Sequence, residues 1–474
     1  MTMTRRAFLS ASAAIATVPA VIRPAWAAPL PREADIVVIG AGAAGIAAAR
    51  RIVAAGRKVI VLEAANQVGG RCVTDISTFD VPFDRGARWI HNPDISPMVK
   101  LARGAGVELS AAPMGRKIRI GRRNARAGEA EEFLAALVRT NRALDEAARG
   151  KIDVSCASAL PGDLGAWTAT AAFVLGANAA GKDLKDFSVI DKVRGQERNA
   201  SPLACRQGLG TLVTRLGASL PVMLSSPVSR IVWSGRDVQV ESTSGRLAAR
   251  AAIVTVSTNM LVTGSIKFAP DLPKRPLDAA AALSLGSQDR IALQMPGNPL
   301  GLGRDEVVVE QSSDRQTGSL LANVGGSALC VVDVGGSFGR DLAAQGEAAM
   351  VAFAMEWLTR LYGSDVAGTV KKSAATRWNE MPFIRGAMSC AAPGGQPSRR
   401  ILAEPLGALF LAGEATHETM WGTVDGAWES GERAAEAALR RLGVLRDTDT
   451  SAPAASSRRR ATPPRSSRAG GPVQ

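Results

Sequence analysis

Six residues, Gly40-Ala41-Gly42-Ala43-Ala44-Gly45, constrain the fold of this chain more than any others. They follow an uninterrupted apolar run, Asp35-Ile36-Val37-Val38-Ile39, of the kind carried by a strand buried on both faces. Alanine-rich residues from Ala43 to Ala55 then predict a helix, Gly56 its C-terminal cap, and Lys58-Val59-Ile60-Val61-Leu62-Glu63 a second strand. Strand, glycine-rich turn, helix and strand in that order make a βαβ unit. In such a unit Gly40, Gly42, Ala44 and Gly45 bring backbone amides close to a pyrophosphate at the helix N-terminus. Glu63 ends the second strand where an acid accepts hydrogen bonds from ribose hydroxyls, which disfavours a 2′-phosphate. Gly69-Gly70-Arg71 favours FAD over NAD. Glycines such as Gly70 let the chain pass close to the cofactor, and Arg71 is placed to neutralise phosphate charge.

The chain has 474 residues, 46% of them hydrophobic, more than one compact domain needs. Short β-rich runs follow at Val228-Ser229-Arg230-Ile231-Val232-Trp233, Val238-Gln239-Val240 and Ile253-Val254-Thr255-Val256. A further strand, Ala408-Leu409-Phe410-Leu411-Ala412, leads through Gly413-Glu414 to a helix expected over about Val424 to Leu442. The fold class is therefore α/β. A Rossmann-like FAD-binding domain is assembled from discontinuous segments, 28–85, 200–265 and 375–445, and an α+β substrate domain occupies 86–199 and 266–374. In the substrate domain Phe133, Leu134, Leu137 and Leu144 recur at near-helical spacing, predicting an amphipathic helix over Glu129–Arg149.

Residues 1–27 read as a twin-arginine signal peptide. Thr4-Arg5-Arg6-Ala7-Phe8-Leu9 precedes an uncharged stretch to Ile22 and then Ala25-Trp26-Ala27. The stretch is too short and too rich in alanine and serine to span a bilayer comfortably, so a periplasmic or secreted protein without stable membrane insertion is expected. The formal charge is +14, but about half of it lies at the two ends: three arginines in the leader, and six arginines against two aspartates from Arg446 onward. Residues 446–474 are Ser/Pro/Arg/Ala-rich and are expected to be a disordered basic tail. Aromatics make up only 4% of the chain, with no basic stripe among stacking rings, which excludes nucleic acid as a partner. Two histidines and five scattered cysteines without a CxxC spacing argue against any metal centre and leave disulfide pairing open.

Several further motifs carry a family likeness. They are Gly86-Ala87-Arg88-Trp89-Ile90-His91, Pro227-Val228, Arg377-Trp378 with Pro382 and Gly386, Leu411-Ala412-Gly413-Glu414-Ala415-Thr416-His417, and the stretch from Gly422 to Gly431. With the opening βαβ unit and Gly-Gly-Arg, they resemble the flavin-containing amine oxidases: monoamine oxidases, polyamine oxidases and flavin-type histone demethylases. The resemblance covers most of Ala34–Leu442 and fades between about Val107 and Gln196. It implies that Val228 holds the adenine side through its backbone, that Arg71 meets the phosphates and that Glu414 meets the ribityl or pyrophosphate region. Thr423 and Val424 would lie beside the isoalloxazine ring, where a helix start aims its positive end at the charge that reduced flavin develops. Arg88 and Trp89 complete the expected cofactor set.

The catalytic candidates are Arg290, His91 and Trp378. His91 sits where some relatives place an acid near the substrate amine, and Trp378 packs over the flavin or lines the pocket. Three departures stand out. Arg290 replaces the lysine that in the family typically reaches flavin N5 through a water and is linked to reaction with oxygen. Met388 and Thr423 stand where monoamine oxidases place paired aromatics. Ala387 stands in place of their flavin-bonding cysteine, so FAD should be non-covalent. The reaction implied is hydride transfer from the carbon beside a neutral amine to flavin, hydrolysis of the imine to a carbonyl product, and reoxidation by oxygen to give hydrogen peroxide. The small-molecule amine is left undefined. Alternatives are a dehydrogenase passing electrons to a carrier protein, motivated by Arg290 and the leader, and an amino-acid oxidase or desaturase using Arg88, Arg290 or Arg385. A non-catalytic flavin-binding protein is a third.

Overall fold

The computed structural model describes residues 31–113, 115–195 and 201–445. The expected signal peptide and basic tail lie outside the described residues. The apolar run forms the strand Glu33–Ile39, the alanine-rich segment the helix Ala43–Ala54, and the second run the strand Val59–Leu62. These strands pair in parallel, Ile36 beside Val59 and Ile39 beside Leu62. Val37 and Ile39 enter one core cluster while Ile36 and Val38 enter another, so both faces of the strand are buried, as its unbroken apolar character requires.

The first sheet is assembled from distant pieces. Val222–Met223, Val59–Leu62, Glu33–Ile39, Gly245–Val254 and Leu409–Leu411 lie parallel in that order. The ten-residue strand Gly245–Val254 is shared. Its first half pairs antiparallel with Val238–Ser242 in a meander that continues to Val228–Val232, and its last residues pair with Leu409–Leu411. The sheet ends at Lys267–Ala269, beside Val228–Val232.

A second, seven-stranded sheet runs Lys372–Ala375, Gln288–Gln294, Leu329–Gly335, Ser319–Ala322, Glu306–Glu310, Lys117–Ile120 and Arg123–Asn124. One face packs on the helix Glu347–Tyr362 through Ile291, Leu293, Val332, Ala354, Trp357 and Leu358. The other carries Arg290. A small third sheet joins Trp89–Ile90, Leu203–Cys205 and Leu109–Ala111. The amphipathic helix spans Ala127–Ala148 and buries Phe133, Ala136, Thr140 and Leu144. Leu134, expected on the same face, is exposed, because it is one helical step of about 100° from Phe133 and falls off the buried stripe.

The last helix, Val424–Arg441, lies across the first, Ala43–Ala54, with Ala434, Ala435 and Ala438 against Ala44, Ala48 and Ala49. Small residues let the two backbones approach. A methyl group at Gly431 would stand 2.0 Å from the Ala44 carbonyl oxygen. All five cysteines are free and buried, and no helix of the described residues is long and apolar enough to cross a membrane. Gly431→Ala is expected to cost about 2–3 kcal/mol through overpacking. Gly128→Ala, in the exposed first turn of Ala127–Ala148 with nothing within 4 Å, should be neutral or slightly stabilising. Denaturant titration of the two variants checks the pair.

Candidate active site

A cavity of about 840 Å³ opens where the parallel strands of the first sheet end, lined by Ile39-Gly40, Leu62-Glu63, Thr255-Val256 and Gly413-Glu414. It continues to the second sheet, where Gln288, Arg290, Leu320 and Asp333 line it. Ligands of open α/β sheets bind at such carboxyl ends. Fifteen of the sixteen residues expected in the site line this cavity: Gly40, Gly42, Ala44, Glu63, Gly70, Arg71, Arg88, Trp89, His91, Val228, Arg290, Trp378, Glu414, Thr423 and Val424. Gly45 does not. Its place is between helix and strand, where a methyl group would stand 1.9 Å from the Gly40 carbonyl oxygen.

The glycine turn fits a dinucleotide. Gly40 has φ +102°, and a methyl group there would meet Thr255 Oγ1 at 2.5 Å; Gly70, at φ +59°, sits against the Gly42 backbone. Gly42 caps the helix Ala43–Ala54 with no side-chain hydrogen bond and no acid in the first turn. Its first amides thus lack side-chain acceptors beside the cavity, an arrangement suited to a pyrophosphate. Glu63 is held at the next strand end, accepting from Ala41 N at 2.6 Å and Ala65 N at 2.8 Å. Burial raises its carboxyl above the ordinary range, against those amides, which lower it.

Glu414, on the cavity wall, is held by the protein: its carboxylate accepts from Arg71 Nη1 at 2.9 Å, Ser389 N at 3.0 Å, Ser389 Oγ at 2.6 Å and Gly422 N at 2.7 Å. Burial alone would raise its carboxyl, but Arg71 and Ser389 hold it below the ordinary value. Arg71 correspondingly gives Nη1 to Glu414 and the Ala387 carbonyl. Ala387 and Met388 line the cavity, while Cys390 is buried in a separate core cluster.

At the other end Arg290 projects from Gln288–Gln294. Its Nε donates to Asp333 Oδ1 at 3.2 Å and its Nη1 to the Asp84 carbonyl. Burial pulls the guanidinium down to about 10, with the positive charge of Arg88 adding to the effect. Arg88 Nη2 donates to the same Asp333 oxygen at 3.3 Å, and its guanidinium stands 5.5 Å from the Trp89 ring centre. Trp378 is buried on the wall, its Nε1 donating to the Arg85 carbonyl at 3.1 Å and its ring against Gly86. Arg385, a candidate carboxylate ligand, does not line the cavity.

Thr423 caps Val424–Arg441, its Oγ1 accepting from Gly426 N at 2.9 Å, so this helix also begins on the cavity wall. Asp425, in its first turn, accepts from the His91 backbone amide at 2.9 Å and from Ser96 Oγ, with His91 Nδ1 at 3.9 Å. Burial pushes the Asp425 carboxyl up to about 6. A second buried acid supports the other side: Asp289 Oδ1 accepts from Trp378 N at 2.8 Å and Thr376 Oγ1 at 2.9 Å. Thr376 Oγ1 in turn receives the Arg290 amide at 2.9 Å. Sequence reasoning missed Asp289, Asp333, Asp425 and Ser389. Only Asp425 carried a local signal, an acid in a first helical turn. Among the described residues no group of His, Cys, Asp and Glu is arranged to hold a metal ion.

The model of the family described as flavin containing amine oxidoreductase matches residues 43–439. The chain belongs to this family. It is 27% identical to rice polyamine oxidase 5 over 454 residues, which cover 86% of this chain and 88% of that protein. It is 26% identical to human lysine-specific histone demethylase 2 over 445 residues, 85% of this chain and 53% of that protein. The chain thus spans about half the length of the histone demethylases it matches. Among solved structures, cyclohexylamine oxidase from Brevibacterium oxydans IH-35A superposes with a TM-score of 0.74 at 20% identity, covering 87% of this chain and all of that one. Putrescine oxidase bound to putrescine gives 0.70 at 18%, covering 86% and 99%. Both share the fold. FAD is the cofactor that family and cradle have in common.

Asp289 supplies a pH test. An unfolded aspartate ionises near 3.8, whereas burial raises Asp289 to about 6, so ionisation favours the unfolded chain and stability falls as pH rises between those values. Asp289→Asn keeps an oxygen for Trp378 and Thr376. Between pH 4 and pH 7 the stability difference between the two chains is expected to move in the variant's favour by about 2–3 kcal/mol, measured by denaturant unfolding.

Proposed function

We propose that this protein is a FAD-dependent amine oxidase that binds its cofactor without a covalent bond. The observation that carries the reading is one continuous cavity. It leads from the open N-terminus of Ala43–Ala54, past Arg71 and Ala387, to the start of Val424–Arg441 and the Arg290–His91–Trp378 end. When bound, FAD supplies the two-electron acceptor for the carbon beside a neutral amine, the resulting imine being hydrolysed and oxygen reduced to hydrogen peroxide.

The chain's own residues orient and desolvate. The glycine turn and the amides of the first helix would hold the pyrophosphate, Glu63 the adenosine ribose, and the Val228 backbone the adenine side. Arg71, fixed by Glu414, presents positive charge beside the phosphates. The helix start at Val424 would lie beside the ring system, its positive end favouring the negative charge that reduced flavin carries. Trp378, anchored at both N and Nε1, forms a rigid wall for the substrate, and His91 stands at the same end, its amide fixed by Asp425. Position 387 offers only a methyl group. Cys72, the one cysteine on the cavity wall, has its thiol pushed up to about 12 by burial, which leaves it a poor nucleophile.

A second acceptor is favoured by one observation: Arg290 is tied to Asp333 and the Asp84 carbonyl, unlike a mobile lysine with a water. Electrons would then pass to a carrier protein. An anaerobic absorbance titration with monoamines, polyamines and amino acids, followed by air, separates the readings. Bleaching that air reverses with peroxide is the expected result, bleaching that air barely reverses would assign a dehydrogenase, and no bleaching by any amine would remove the amine reading. Arg290→Lys should quicken recovery of colour in air about tenfold or more, followed by stopped-flow absorbance. We also propose export by the twin-arginine route, supported by Arg5-Arg6 and the uncharged stretch that follows. Replacing both arginines with lysine should trap the precursor in the cytoplasm of a bacterial host, read by cell fractionation.

A further inference from the structure

The second-sheet end of the cavity carries an unusual charge arrangement. Arg88 and Arg290 are about nine-tenths buried, at 10% and 12% side-chain exposure, and both donate to a single oxygen of Asp333. Two guanidinium groups therefore share one carboxylate oxygen on the cavity wall, while the buried Asp84 carboxylate, held by Thr74 and the Leu209 and Gly210 amides, acts on Arg290 without lining the cavity. A buried guanidinium with donors not used by the protein is costly, and an anion that accepts from them relieves the cost. Burial, and after it the repulsion of Arg88, lowers the Arg290 guanidinium.

The inventory of the wall points the same way. Among the described residues that line the cavity, the acids are Glu63, Asp333 and Glu414. Glu63 is held by backbone amides at the glycine-turn end and Glu414 by Arg71, Ser389 and Gly422, so Asp333 is the acid at the substrate end. Arg85 and Arg116 also line the cavity, Arg85 facing Asp75 at 3.7 Å. A polyamine brings ammonium groups beyond the one that reacts, and each needs a carboxylate or cation-binding ring. Here Asp333 already serves two arginines, and the bulk of the positive potential repels a polycation. The donors left over on Arg88 and Arg290 form instead a fork suited to a planar, singly charged oxyanion.

We propose that the amine oxidised here carries a carboxylate, which docks on Arg88 and Arg290 across Asp333, so that the substrate is an amino acid or an N-substituted amino acid. The assignment rests on the amine-oxidation reading and narrows it. Docking there would fix the amine end of a short substrate toward Trp378 and His91, which share that part of the wall.

The test uses the purified holoenzyme and two readouts. In the first, oxidised flavin is titrated anaerobically with matched sets: phenylalanine and leucine in both enantiomers, N-methylglycine, the corresponding amino-acid amides, phenethylamine and isoamylamine, and spermidine. Acids are expected to bleach the flavin at concentrations about 100-fold below their decarboxylated counterparts. In the second, acetate and benzoate, which cannot be oxidised at this site, should perturb the oxidised flavin spectrum saturably, whereas acetamide and benzamide should not. Arg88→Met should weaken both responses to acids about 100-fold and Arg88→Lys should restore part of them; retained yellow colour shows that each variant is folded and loaded. Bleaching by spermidine or the simple amines, with no response to acids and no carboxylate perturbation, would overturn the carboxylate site and leave amine oxidation standing. Carboxylate perturbation with no bleaching by any compound would uphold the anion site and remove the oxidation reading. Silence in both readouts overturns both.

Discussion

The Glu414 carboxylate is the contact on which the cavity depends. It draws together Arg71 from the first segment of the chain, Ser389 from the last connection and Gly422 from the turn that launches the final helix. Ser389 Oγ also accepts from Arg399, and Arg399 meets Asp191 at 2.6 and 2.7 Å with both side chains fully buried. The network thus runs from the flavin end to the helix Val189–Arg194, the part of the cap against which Trp421 is packed. Such a chain of buried charges is costly if any member is missing, so it specifies one arrangement of segments more than it adds stability.

The reactive end is organised by a simpler device, strand alternation. Asp289 and Arg290 are neighbours, and the pleat sends them to opposite faces of the second sheet. Arg290 reaches the cavity, while Asp289 turns back to grip Trp378 and Thr376. One dipeptide therefore sets both a charge on the wall and the position of an aromatic wall. The opposite wall is built by the last helix, whose first turn places Asp425 under His91. No side chain here needs to act as a nucleophile. The work left to the protein is orientation, exclusion of water and placement of charge.

Much of this was legible in the sequence. The βαβ unit could be read because its signals are local: a two-faced apolar strand, glycines forced by close backbone approach, and an acid at the next strand end. The cavity residues named by motif also lie together, since those motifs sit at strand ends and helix starts. What escaped was pairing at a distance. Arg88 and Asp333 are 245 positions apart, and nothing near either residue announces the other. The same holds for Ser389 and Glu414, and for the engagement of Glu414 by protein donors, because a motif gives the neighbourhood of a side chain and not the direction of its hydrogen bonds. Leu134 shows the limit of counting apolar residues. It has the right chemistry and the wrong angle.

The order of segments also governs assembly. The first helix is sealed by a helix almost four hundred residues later, and the central strand Gly245–Val254 gains its last neighbour only when Leu409–Leu411 is made. Contacts of such long sequence separation close large loops and form slowly. A chain emerging from the ribosome therefore exposes its glycine turn long before the opposite wall exists. Cofactor capture becomes a late event, coupled to completion of the C-terminal helix, and truncation anywhere before that helix leaves a nucleotide cradle open on one side.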